Sequence, residues 1–359
     1  MDQSETPGTA RGRSRPPSQA DVAALAGVSS QTVSRVANNR SNVEPETRER
    51  VLSAMRILGY QRNSAARALT LGRFHVLGVV TFDVAAHGNA RTLAAISRAA
   101  QRAGYSLNVV CVEDRTEEAV QQAVRQLTEQ AVDGLIVIEA QILDRPGLDV
   151  HSGVPVVVAD GDPERRFPSV DTDQAAGAAA ATRHLLELGH RTVWHIGGPQ
   201  DSYAARRRAA AWHAALKEAG APVPPLRYGD WTAASGYRIG RELAARPDVT
   251  AVFAANDQLA LGLVRALHEA GRRVPRDVSV VGFDDLPEAA FYLPPLTTIR
   301  QDFEEVGRQC VAQLLAQIDR PSDLPAADRV VTVTPDLVVR ESTAPAPSPS
   351  PSPDGPAGR

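Results

Sequence analysis

The sequence predicts two folded parts of different class. Residues 18–60 read as a small α-helical head of helix-turn-helix type, and residues 74–342 as a long α/β body with parallel sheets and helices on both faces. Three observations predict this. Two short helical segments flank Gly27, and a third, opened by Pro45, follows them. Behind residue 73, short apolar runs alternate with helical stretches of about 10 to 15 residues, the pattern of parallel strands joined by helices. The formal charge of −3 is also unevenly spread: residues 1–73 carry eleven Arg against six acidic residues, +5, which leaves −8 for the rest. A basic head on an acidic body points to a polyanionic partner for the head alone.

The head is justified element by element. Ser18-Gln-Ala-Asp21 is a capping-box-like start, with Asp at its third position after the cap. Val22, Leu25 and Ala26 then form an apolar face, and Gly27 permits a tight turn. Ser29 is placed to cap the second helix, in which Val33 and Val36 face inward. Gln31, Thr32, Ser34, Arg35 and Asn38 fall on its other faces. Pro45 suits the first turn of a third helix that runs to about Leu58, with Val51, Leu52 and Met55 buried. A recognition helix of this kind offers base edges its N-terminal side chains. Gln matches adenine and Arg matches guanine. A solvated polar helix explains the second segment alone, but the paired helix, the turn glycine and the +5 charge favour a DNA reader.

The body's strands are VLGVVTF (76–82), LNVVCV (107–112), DGLIVI (133–138), VPVVVAD (154–160), and the later runs TVWHIGG, YGDW, VTAVFAAND and VSVVGFDD. A helix is expected from about Glu117 to Gln130. Ligands of such folds lie at the carboxyl ends of the strands, so runs ending in Asp or Asn draw interest.

Composition bounds the remainder. The chain has 359 residues, 43% of them hydrophobic and 23% charged, which suits a multi-domain globular protein. It holds no apolar run of membrane-spanning length, and residues 1–17 lack the apolar core of a signal peptide. A cytoplasmic location is the expectation. Residues 1–17 and the Pro/Ser/Ala-rich 343–359 are expected to be disordered. Cys111 and Cys310 are expected to be buried reduced thiols. No P-loop and no nucleophile elbow occur, the IGG at 196–198 is too short to count, and the eight His do not cluster at metal spacing. Neither enzyme activity nor a cofactor or metal is expected.

AGVSSQTVSRVANN, followed by ETRERVLSAMRILGYQRNSAARAL, resembles the head of the LacI/GalR family of bacterial transcription regulators. The resemblance extends over residues 18–342 and is strongest in ARRRAAAWHAAL, GDWTAASGY, AANDQLALG, DVSVVGFDD and YLPPLTTIRQDF. It implies that Ser30, Gln31 and Arg35 contact operator bases, and that Ser18, Ser29, Ser34, Asn38 and Thr47 anchor phosphates. It also implies that residues 61–73 form a hinge helix or linker. There Leu69 wedges into the minor groove, and Asn63 and Ala66 line the contact. One well-matched member of the family has tyrosine where this chain has Ala20 and Ser30, so the operator sequence does not carry over.

The body resembles the two-lobed, periplasmic-binding-protein-like sensors, with an effector held between the lobes. The implied N-lobe is 74–172 plus 301–331, and the C-lobe is 173–300 plus 332–342. Asp160, Asn256 and Asp284 end three strands and suit paired hydroxyls. Arg208 offers a planar fork of donors, and Trp231 a flat apolar face. Gln301 and Phe303 join them by resemblance. Each has an ordinary alternative: helix caps for the Asp and Asn residues, core for Trp231, a solvated basic face for Arg206, Arg207 and Arg208. Thr172 stands where that member has phenylalanine. The implied protein is a homodimer on double-stranded operator DNA, a repressor of carbohydrate-utilisation genes released by a galactoside-like sugar. The prolines of APAPSPSPSP exclude a C-terminal leucine-heptad helix and so favour a dimer over a tetramer. A corepressor-type regulator of a nucleobase or nucleoside, or a solute-binding protein, remain as alternative readings.

Overall fold

The computed structural model describes residues 15, 17–37, 40–60, 72–113, 116–138, 154–161, 167–320 and 330–347. The chain divides into two compact units, Met1–Phe74 and His75–Arg359.

In the first unit, α1 (Gln19–Ala26) and α2 (Ser30–Ala37) precede α3 (Pro45–Leu58). The Ser18 hydroxyl accepts the Asp21 N–H at 3.3 Å, and the Asp21 carboxylate accepts the Ser18 N–H at 2.8 Å, a complete capping box. Gly27 ends α1 at φ 66°, a left-handed turn that a β-carbon would strain. Val22, Ala23, Ala26, Val33, Val36, Val51 and Ala54 form the core. Two expected core residues are not in it: Leu25 is 50% and Leu52 43% exposed. The buried stripes are centred between Val22, Ala23 and Ala26 on α1, and around Val51, Ala54 and Leu58 on α3. At about 100° per residue, Leu25 and Leu52 fall roughly a third of a turn off those stripes.

The second unit has two parallel sheets. The elements of the first are β1 (Val76–Thr81), α4 (His87–Arg102), β2 (Ser106–Cys111), α5 (Glu117–Glu129), β3 (Gly134–Ile138), β4 (Val156–Ala159) and β5 (Ser169–Thr172). Those of the second are α6 (Gln174–Glu187), β6 (Trp194–Gly197), α7 (Tyr203–Glu218), β7 (Arg227–Tyr228), α8 (Ala233–Ala244), β8 (Ala251–Ala254), α9 (Asp257–Glu269) and β9 (Ser279–Val281). The chain closes with β10 (Thr298–Arg300), α10 (Phe303–Asp319), β11 (Val330–Val333) and β12 (Asp336–Val338). Strand orders are β11-β5-β4-β3-β1-β2 and β7-β6-β8-β9, all parallel, with β10 and β12 pairing antiparallel as a separate ribbon. β3, β4, β6 and β8 are buried along their whole length, as strands covered on both faces must be. The chain passes between the two lobes at three places: after Thr172, after Arg300 and after Val333. α10 returns to pack Val306, Cys310, Val311 and Leu314 into the first lobe.

Three expectations need correction. β11 pairs with β5, so the N-lobe runs to Val333 and the last crossover falls later than residue 331. Residues 343–347 are not a loose tail. The Ala344 N–H donates to Ser279 Oγ at 3.0 Å, the Ala346 N–H donates to the Leu188 carbonyl at 2.8 Å, and Thr343 Oγ1 bonds His184 at 3.0 Å. Prolines remove donors but leave the intervening amides free to bond this way. Cys310 is buried, but Cys111 is exposed because it lies on the edge strand β2. No described helix is long and apolar enough to cross a membrane.

Candidate functional site

In the first unit, α2 turns Val33 and Val36 inward, which leaves Ser30, Gln31 and Arg35 exposed. Gln31 and Arg35 are four residues apart and so share one face. Ser29 is exposed ahead of the helix, and its hydroxyl accepts the Thr32 N–H at 3.1 Å. Ser18 and Ser34 are half-buried, as is Thr47 in the first turn of α3. Ser18 Oγ is held in the α1 cap. Asn38, Asn63, Ala66 and Leu69 lie outside the described residues.

In the second unit one cleft gathers all seven expected effector residues: Asp160, Arg208, Trp231, Asn256, Asp284, Gln301 and Phe303. It lies at the carboxyl ends of the strands of both sheets, as open α/β folds place their ligands. Helix starts converge on it. His87, Gln174, Ser202, Gln258 and Phe303 each stand at or beside the first residue of a helix. Such starts present unpaired N–H groups and a positive dipole end. Sequence reasoning missed His87, Asn89, Thr92, Gln174, Ser202 and Gln258. Their signal was position alone, the first two turns of a helix beyond a strand.

Helical geometry sorts the arginine triplet. On α7, Arg206 is exposed, Arg207 lies over the Tyr203 ring, and Arg208 is buried at 4% exposure. Arg208 Nε donates to Gln174 Oε1 at 2.8 Å, and its Nη1 donates to the Ala255 carbonyl. Its guanidinium lies 3.6 Å from the Phe283 ring centre and 5.5 Å from that of Trp231. Its Nη2 is 3.8 Å from Asp284 Oδ1. Burial pushes the Asp284 carboxyl up, and the Arg208 charge opposes it. Behind it, Asp257 is fully buried and burial, with the Asp284 charge, pushes its carboxyl to about 8. Burial likewise pushes the His87 imidazole down. The cleft thus holds a cation, two carboxyl groups and neutral polar groups in a poorly solvated wall, where each polar contact to a ligand carries weight.

Local backbone conformation marks the same residues. Asp160 (φ 54°), Trp231 (φ 71°) and Asp284 (φ 110°) adopt positive φ, which costs of order 1–3 kcal/mol each and persists where surroundings enforce it. Asp160 is held by the Thr172 N–H at 2.7 Å; Thr172 itself is buried and is not one of the cleft-lining residues. Trp231 is held by Asn256, whose Nδ2 donates to the Trp231 carbonyl at 3.1 Å and whose Oδ1 caps α9 at Leu259 N, 2.8 Å. The cap reading and the cleft reading of Asn256 are therefore both true of one side chain. The Trp231 indole lies against Gly198, where a β-carbon would come within 2.3 Å of the ring. The IGG segment thus seats the indole. Asp284 is followed by Asp285 (φ 53°), which accepts Arg300 Nε at 2.7 Å and Arg340 Nη2 at 2.6 Å. No cluster of three or more metal-ligating side chains occurs among the described residues.

Comparison with known proteins matches residues 20–63 to the family described as bacterial regulatory proteins, lacI family, and residues 182–343 to a periplasmic binding protein-like domain. The lactose operon repressor of Escherichia coli K12 is 40% identical over 299 residues, 82% of this chain and 83% of that protein. The solved lac repressor dimer bound to operator and the anti-inducer ONPF superposes with a TM-score of 0.81 at 36% identity, covering 92% of this chain and all of that one. The complex of the transcriptional regulator CelR with cellobiose gives a TM-score of 0.67 at 34% identity, covering 91% and 99%. With a head of this type and a two-lobed body of this type in one chain, the protein belongs to the LacI family of bacterial regulatory proteins.

Proposed function

We propose that the chain is a sequence-specific transcriptional repressor whose hold on its operator is governed by a sugar bound in the cleft. One observation carries the reading: seven side chains scattered from residue 160 to 303 line a single cleft at the strand ends. Its chemistry suits a polyol. Asp160 and Asp284 accept from hydroxyls, Arg208 and Gln301 donate, and Trp231 and Phe303 supply apolar faces for C–H surfaces.

In this reading Ser30, Gln31 and Arg35 read bases, and Ser18, Ser29, Ser34, Asn38 and Thr47 hold phosphates. Residues 61–73 are the hinge, with Asn63, Ala66 and Leu69 at the minor groove. The working boundaries are a head at 18–60, an N-lobe at 75–172 and 301–333, and a C-lobe at 173–300 and 334–347. Two copies place two heads on a pseudo-palindromic site. Phe291 (87% exposed), Leu293 (91%) and Leu261 (44%) are the apolar side chains we assign to that contact. A sugar that favours the low-affinity arrangement weakens DNA binding by the same factor that DNA weakens sugar binding. The relatives named above, one solved with operator and anti-inducer and one with cellobiose, support this reading.

The test is calorimetric titration of the full chain with mono- and disaccharides, galactosides and glucosides included. Saturable heat from one class, lost in Arg208→Ala, is the expected result; silence from every sugar refutes the sugar effector.

A further inference from the structure

Two glutamines join the cleft's charges into a closed ring. Arg208 Nε donates to Gln174 Oε1 at 2.8 Å, and Gln174 Nε2 donates to Gln301 Oε1 at 3.1 Å. Gln301 Nε2 donates to Asp284 Oδ1 at 2.7 Å, and that oxygen lies 3.8 Å from Arg208 Nη2. A guanidinium only donates and a carboxylate only accepts, so the ring forces one orientation on each amide. All four residues are at most 8% exposed. An unpaired amide in so enclosed a place costs more than a surface bond contributes.

The position of the amides in the fold gives the ring its consequence. Gln174 opens α6 immediately after the first interlobe crossover, and Gln301 follows β10 at the second. The bond between them ties two of the three crossovers together. The far side of each amide is bonded to a charge that lines the cleft.

We propose that Gln174 and Gln301 are the positioning pair through which occupation of the cleft reaches the interlobe crossovers. A ligand hydroxyl that takes Asp284 Oδ1 or the Arg208 fork displaces one amide, the other loses its enforced orientation, and the tie between crossovers is released. This rests on reading the cleft as a ligand site, and it assigns the transmission to two side chains.

Hydrogen–deuterium exchange on the full chain tests it, with Gln174→Leu, Gln301→Leu, the double variant and Gln174→Glu. Gln174→Leu should raise exchange in residues 298–303, and Gln301→Leu in residues 172–177, each about tenfold, the effect of losing one buried hydrogen bond. The double variant should add nothing to either. Gln174→Glu keeps size and the Arg208 contact, but its second oxygen faces Gln301 Oε1. Turning the Gln301 amide over only moves that clash to Asp284. It should therefore loosen residues 298–303 like the leucine variant, and it carries the test if the leucine variants fail to fold. Loosening confined to each variant's own segment, or additive effects in the double variant, would overturn the proposal. Millimolar lactose and cellobiose form a second arm. A binding sugar should raise exchange in both segments of the wild-type protein and have no further effect in the variants; an unchanged rise in the variants would overturn the proposal. Wild-type protein that answers neither sugar counts against those sugars as effectors, while the ligand-free comparison still decides the ring.

Discussion

Asn256 donates its side-chain amide to the backbone carbonyl of Trp231 over 3.1 Å, and so ties the start of α9 to the aromatic wall of the cleft. The other half of the same amide caps the helix at Leu259. Asn256→Asp separates these two duties. The carboxylate still caps α9, but it meets the Trp231 carbonyl as one acceptor against another. We expect sugar affinity to fall about tenfold with little change in the melting temperature. Calorimetry beside thermal unfolding checks this. A large loss of stability would mean that the bond to the Trp231 carbonyl holds the fold as a whole and not only the cleft wall.

Much of the fold was legible in the sequence because its signals are local. The Ser18–Asp21 cap, the Gly27 turn, the Pro45 helix start and the apolar strand runs are each written within a few neighbouring residues. Asp160, Asn256 and Asp284 were legible as strand ends, Arg208 and Trp231 by their side-chain chemistry, and Gln301 and Phe303 through the resemblance alone. What was missed depends on contacts distant in sequence. Gln174 gains its partners from residues 208 and 301. Gly198 matters only because Trp231 lies on it. Residues 343–347 read as low-complexity yet are held by Ser279, His184 and Leu188. Leu25 and Leu52 were misplaced because hydrophobicity names candidates for a core, while helix phase selects among them.

Asp285 is nine-tenths buried and clamps two segments: it accepts Arg300 of β10 and Arg340 beyond β12. Asp285→Ala leaves Arg340, at 18% side-chain exposure, without its carboxylate. A cost of about 2 kcal/mol is expected, between a surface pair and a fully buried one. The urea midpoint should fall without a change in slope. An unchanged midpoint would remove the clamp role.

His195 is 1% exposed, its ring stacks on Phe253 at 4.5 Å, and its Nδ1 bonds the Phe253 carbonyl at 2.8 Å. Burial pushes its imidazole down to about 4 from the ordinary 6.5. The unfolded chain therefore binds the proton first, and stability from this group is full above pH 6.5 and is lost as pH falls through about 4. His195→Phe keeps the stack and removes the proton site. Its melting temperature should drop less between pH 7 and pH 5 than that of the wild type; parallel profiles would assign acid sensitivity elsewhere.

Leu293→Asp places a charge on the exposed apolar surface assigned to self-association. Sedimentation should show a dimer for the wild type at micromolar concentration and a monomer for the variant. A variant that remains dimeric would move the interface to another face.

Arg35 is exposed on the same face of α2 as Gln31. Arg35→Ala should lose about 1–3 kcal/mol of discrimination for the preferred operator over random DNA, with sugar affinity unchanged. Retained preference would show that α2 is not the reading helix.

The most direct test of the account joins the two units in one experiment. An operator duplex selected from random DNA by the full chain is labelled, and its binding is followed by fluorescence anisotropy against the panel of sugars. The account predicts that at least one sugar lowers wild-type operator affinity tenfold or more while Arg208→Ala stays bound, within the usual range of about 5- to 150-fold for coupled sites. Operator affinity unmoved by every sugar, or release of Arg208→Ala at the wild-type sugar concentration, would contradict it.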